Sequence, residues 1–160
     1  MNLNLTARNY KYLSAAILQG AMLYLWFTPC VKTKLIIEGS IYEEAAERYL
    51  VNNSLEWANT AFIALSVFGI LLFLLPLVVK EKRFSRMIDL PAITAVLWGV
   101  SLIFWIFNKK QRVAREITEY GISAECTFTF NAVLFFALAA VQICICIMCR
   151  IQAKREKLLQ

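Results

Sequence analysis

Histidine is absent from this 160-residue chain, which leaves its five cysteines as the side chains best suited to chemistry. Thiols can oxidise, exchange disulfides or accept a lipid, according to how exposed and how ionised they are. Cys30 and Cys126 fall at equal depth, at the outer ends of two uncharged blocks, and in an oxidising compartment they are candidates for a structural disulfide. Cys144, Cys146 and Cys149 cluster just before Arg150. Three roles suit that cluster: packing as small hydrophobes, reversible palmitoylation beside basic residues, and redox exchange through the CxxC spacing of Cys146 and Cys149. No catalytic residue, cofactor or metal-ligand set is otherwise legible.

The amides and hydroxyls inside the uncharged blocks form the second group. Gln19 and Gln142 share a level in the inner third of the first and fourth blocks, and Ser66 and Ser101 share one near the middle of the second and third. In an apolar bundle such groups hydrogen-bond between helices for roughly 0.6–2 kcal/mol each. Their alternative is to line a polar cavity. Ser66 and Ser101 have no base nearby and read as hydrogen-bonding residues, not nucleophiles.

The elements that must hold these residues follow from charge. Residues 12–31, 57–79, 90–108 and 126–149 contain no Asp, Glu, Lys or Arg, and together make up 86 of the 160 residues. A hydrocarbon core about 30 Å thick needs roughly 20 mostly apolar residues as helix, so each block is a candidate span. The expected fold is an all-α membrane protein, a single domain of four transmembrane helices running up-down-up-down. The first block is too long to be a removable signal peptide, and Tyr24, Trp26 and Phe27 sit where a cleavage site wants small residues.

Outside the spans lie outer loops at 32–56 and 109–125 and an inner loop at 80–89. Residues 31–37, rich in β-branched side chains, suit a short extended segment. Ser40 and Glu43 have capping-box spacing, and Ile41, Tyr42, Ala45, Ala46, Tyr49 and Leu50 would share one face of a short amphipathic helix on the outer surface. In the second span Pro76 suits a kink near the inner end. Asp89 and Pro91 suit the start of the third helix, and Gly121 its end, so that helix should project about 18 Å past the membrane. Ala16 and Gly20 would admit a close helix neighbour. Trp98, mid-span, needs a helix contact or a ligand.

Formal charge is +6, and its distribution is more informative than its sum. With both tails and the 80–89 loop on one side, that side has ten basic and three acidic residues, net +7, against seven and eight, net −1, on the other. The positive-inside rule counts only Lys and Arg, and the excess of ten over seven puts both termini in the cytoplasm. The basic excess suits topology and anionic lipid and excludes any need for a nucleic-acid partner. On the outer side Glu43, Glu44 and Glu47 oppose Arg112 and Arg115 in charge. These five residues either dock as a lid or form a surface for a partner. Asn52-Asn53-Ser54 has the pattern of a glycosylation acceptor.

In size, helix count and its terminal-span CxxC, the chain resembles the four-helix quinone-linked disulfide enzymes, a class that includes vitamin K epoxide reductase. The active thiols of that class face the oxidising side, whereas the charge balance puts Cys146 and Cys149 inside. In layout it is similar to claudin and peripheral-myelin tetraspans, but the 32–56 loop lacks their twin cysteines and Trp57 begins the next helix.

The function expected from these features is that of a non-enzymatic membrane protein. It would work through lateral or outer-face association with a protein partner or a second copy, as an accessory, assembly or immunity-type subunit of the plasma membrane, in contact with membrane lipids. An oligomeric pore lined by Ser66, Thr94, Ser101 and Asn131 is the alternative, and a membrane thiol oxidoreductase the third reading.

Overall fold

The computed structural model describes residues 7–37, 40–47, 56–78, 89–118 and 122–158. Four helices carry most of it: α1 (Ala7–Trp26), α2 (Glu56–Val78), α3 (Asp89–Thr118) and α4 (Phe130–Leu158). α1 packs against α2 and α4, and α3 against the same two helices. Three helices are long and apolar enough to cross a membrane, over Trp57–Val78, Leu90–Val113 and Phe130–Ile151. Their outward faces show Phe68, Leu71, Leu97, Val133 and Val141, while Gln19, Asn59, Ser66 and Gln142 are buried. Apolar outside and polar inside is the pattern that lipid, not water, stabilises.

The segments between the helices depart from an all-α fold. Three strands, β1 (Val31–Ile37), β2 (Ser40–Glu47) and β3 (Ile122–Phe128), form an antiparallel sheet in the order β2-β1-β3. The amphipathic helix expected at Ser40–Leu50 is replaced over Ser40–Glu47 by β2. Only Glu38 and Gly39 separate the paired Ile37 and Ser40, and a two-residue connection containing glycine favours a hairpin. Pairing with β1 then overrides the weak local helix pattern.

Two span boundaries shift for the same reason. α1 stops at Trp26, not Val31, because Val31 opens β1. α4 starts at Phe130, not Cys126, because Ile122, Ala124, Cys126 and Phe128 alternate with Ser123, Glu125 and Thr127 as a strand. The ladder runs on past β3, where Thr129 N–H donates to Cys30 O at 3.0 Å. Thr129 Oγ1 and Asn131 Nδ2 both donate to Pro29 O, at 2.8 and 3.3 Å, so the start of α4 is tied to the α1–β1 junction.

The larger core cluster joins Trp26, Phe62 and Phe135, whose rings lie 4.3–6.3 Å apart, with Met22, Val96 and Ile103. Gly99 is what admits these rings to α3: a Cβ there would lie 2.6 Å from Phe62 Cε2 and 2.9 Å from Phe135 Cζ. A smaller cluster gathers Tyr12, Ala15, Ala16, Phe73, Ala92 and Cys146. Of the small pair on α1, Ala16 is buried in this cluster, whereas a Cβ at Gly20 would meet nothing within 4 Å among the described residues. The 80–88 loop and Asn52–Ser54 lie outside the described residues.

Candidate functional site

Two arrangements bring together residues with chemical capacity. The first is in the core, where α1, α2 and α4 each supply one buried polar side chain. Gln19 Nε2 donates to Ser66 Oγ at 3.2 Å, and Gln142 Nε2 donates to Gln19 Oε1 at a longer 3.5 Å. All three side chains are fully buried, and Gln142 Oε1 has no hydrogen-bond donor among the described residues. Gln19 is the hinge of this chain, since it alone touches both neighbours.

Ser101, paired in level with Ser66 by sequence, does not join. It is exposed, and its hydroxyl donates to Leu97 O on its own helix at 2.8 Å. Thr94 does the same with Leu90 O. Both residues point away from the bundle, and Asn131 is engaged with Pro29, so within one copy these groups do not converge on a channel. Trp98 donates its indole N–H to Ala58 O at 3.2 Å and meets Trp57 edge-on. It binds a neighbouring helix.

The cysteines are all free thiols, which corrects the expected Cys30–Cys126 disulfide. The elements that carry them are adjacent, but the register is wrong. Cys126 sits opposite Thr33, while Cys30 sits beside Val31, which pairs with Phe128. Three rungs separate the two residues, roughly 10 Å at strand rise, and an odd offset sends their side chains to opposite faces. Cys30 Sγ instead donates to Thr28 O at 3.4 Å and Leu25 O at 3.7 Å. Burial pushes its thiol from the ordinary 9.0 up to about 11, against a smaller lowering by Thr28. Cys126 Sγ meets Thr33 Oγ1 at 3.8 Å. In the terminal CxxC, Cys146 is fully buried in the smaller core cluster, Cys149 is half-buried and Cys144 is exposed. Among the described residues no group of histidine, cysteine and carboxylate side chains could hold a metal ion.

The second arrangement is the sheet at the end of the helices. Phe128 of β3 stacks on Phe107 of α3 at 4.2 Å, and Lys110 Nζ donates to Thr33 Oγ1 of β1 at 3.5 Å. The sheet therefore rests on α3 around Phe107 and Lys110, where Phe107 and Phe128 also pack against the larger core cluster. Of the expected surface residues, Arg112 and Arg115 are exposed on α3, and Glu43, Glu44 and Glu47 occupy β2 at the far edge of the sheet from β3. Opposite them in register stand Leu35, Lys34 and Val31. The side chains of β2 lie outside the described ones. Lys109, one of the basic residues that the sequence groups with Lys110, Arg112 and Arg115, has its Nζ 5.0 Å from the centre of the Trp105 ring, a contact that the charge pattern did not give. The i,i+4 spacing of an aromatic and a lysine was the available signal.

Set against protein-family models, curated proteins and solved structures, the chain matches none of them.

Proposed function

We propose that this chain is a non-enzymatic four-span membrane protein that acts by lateral or outer-face association with a partner, as an accessory, assembly or immunity-type subunit. The observation that carries the reading is the sheet mounted on α3, with the acid-rich β2 at one edge and exposed basic residues on the helix beneath. Such a platform offers a charged surface of its own, distinct from the lipid-facing helices.

Contact order supports α1 as a fourth span in an up-down bundle. Gln19 and Trp26, in that order along α1, meet Ser66 and Phe62 on α2, and Gln142 and Phe135 on α4. The partners descend as α1 ascends, as antiparallel neighbours require. Gly69 against Ala92, and Ala58 against Trp98, give α2 and α3 the same relation. The distribution of Lys and Arg favours cytoplasmic termini in a plasma membrane. Exposed Trp57, Trp105 and Phe130 suit the outer interface and Tyr10 the inner one.

Purification from native membranes with identification of co-purifying proteins tests the reading. A stoichiometric partner supports it, and a strictly solitary monomer overturns it.

A further inference from the structure

α1 and α4 run antiparallel, with Gln19 opposite Gln142. Counting equally from that pair, back along α1 and forward along α4, puts Tyr10 and Ile151 at one level. Two independent markers set the edge of the hydrocarbon there. The apolar stretch Phe130–Ile151 ends at it, and its 22 residues span about 33 Å as helix, close to the thickness of a bilayer core. Tyr10 is exposed at it, the place an amphipathic ring takes at an interface. Lys154 and Arg155 lie roughly 4.5–6 Å beyond Ile151 on a helix that continues to Leu158, which is the depth of the lipid headgroups.

Rotation about α4 joins these cations to the apolar surface before them. At 100° per residue, Cys144, Ile147, Met148, Ile151, Lys154 and Arg155 share an arc of about 120°. All six are exposed, and the arc lies opposite Gln142 and Cys146, which face the core. One face of the helix thus runs without a break from an apolar track to a pair of cations. Neither cation makes an ion pair among the described residues. Glu156, the only acid on α4, is adjacent in sequence to Arg155 and two residues from Lys154, spacings at which helical side chains do not face each other. The local surplus does not depend on pairing: residues 1–11, 80–89 and 150–160, the segments that enter or leave the helices at this end, hold ten basic residues and three acidic ones.

We infer that this outward face of α4 binds an anionic phospholipid. An acyl chain lies along Ile147, Met148 and Ile151, and the phosphate sits between Lys154 and Arg155, whose guanidinium offers paired N–H donors to two oxygens. A soluble phosphate would reach the cations alone and leave the apolar track unused. The inference rests on α4 as a membrane span and not on the association reading above.

Photoreactive lipid tests the site. Full-length protein is reconstituted in phosphatidylcholine liposomes doped with a phosphatidylglycerol or a phosphatidylcholine that carries a diazirine in its acyl chain. Adducts on residues 144–151 are quantified by mass spectrometry. Both leaflets hold the probe, so insertion in either direction gives the same reading. Wild type should favour the phosphatidylglycerol probe. At about fivefold per cation near an anionic headgroup, Lys154→Gln/Arg155→Gln should bring the ratio of yields close to one, whereas Lys109→Gln/Arg112→Gln, an equal loss of charge on α3, should keep it. Added unlabelled phosphatidylglycerol should lower the yield more than the same amount of phosphatidylcholine, and glycerol phosphate should leave it unchanged. Equal yields from the two probes in wild type, a ratio unmoved by the α4 variant or lost equally in the α3 variant, or competition by glycerol phosphate overturns the inference. Protein that fails to float with the liposomes overturns the membrane span as well; protein that floats yet shows no preference removes the lipid site alone.

Discussion

Gln142 donates its side-chain amide to Gln19 across the α1–α4 interface, and Gln19 passes the chain on to Ser66 on α2. One residue therefore ties three helices together in a core where water cannot substitute. The asymmetry of that chain sets an order of stabilities. Gln19→Leu strips partners from both Ser66 and Gln142 and should cost about 1–3 kcal/mol. Gln142→Leu strips only one and also removes the undonated Oε1, so its cost should be smaller. Reversible unfolding in mixed micelles, with the two variants side by side, measures the order; equal costs would contradict it.

Gly99→Ala should destabilise the bundle by about 1–3 kcal/mol, the usual cost of forcing extra volume into a packed core. The added methyl meets ring atoms of Phe62 and Phe135, and Trp26 backs Phe62 at 4.3 Å, so neither ring has free retreat. Trimming Phe62 to Leu in the same chain should return part of the loss. Thermal unfolding of the single and double variants gives the coupling.

Cys30 gives a dependence on pH with a definite sign. Its folded-state pKa is raised to about 11 from 9.0, so above pH 9 the unfolded chain has lost a proton that the folded chain still holds. Stability then falls as pH rises through that window. Wild type should lose more stability than Cys30→Ala between pH 9 and pH 11, in paired melting curves. The same burial should leave Cys30 slow to react with iodoacetamide at pH 8 until the protein is unfolded.

Mass-spectrometric mapping after alkylation of oxidised membranes should recover Cys30 and Cys126 as separate thiols. A peptide bridged between them would require β1 and β3 to slip by three residues from the pairing of Thr33 with Cys126.

The helices were legible because the absence of charge over twenty residues is a signal spread over the whole segment. The strands were less so, though β3 carried one: Ile122 to Phe128 alternates strictly between apolar and polar, a period that the search for a long apolar block passes over. β2 has no such pattern. Its Ser40 and Glu43 spell a helix start locally, and only the partner strand 31–37 makes it a hairpin arm. Depth along a helix placed Gln19 and Gln142 at one level, but depth alone cannot give rotation. That is why Ser101, at the level of Ser66, faces outward, and why Cys30 and Cys126 fall on different faces.

Site-directed photocrosslinking in the native membrane tests outer-face association most directly. A benzophenone amino acid replaces Arg112 toward the C-terminal end of α3 or Lys154 near the end of α4, both exposed positions. The account predicts protein adducts from position 112 and none from position 154. Adducts confined to position 154, with position 112 silent, would contradict it.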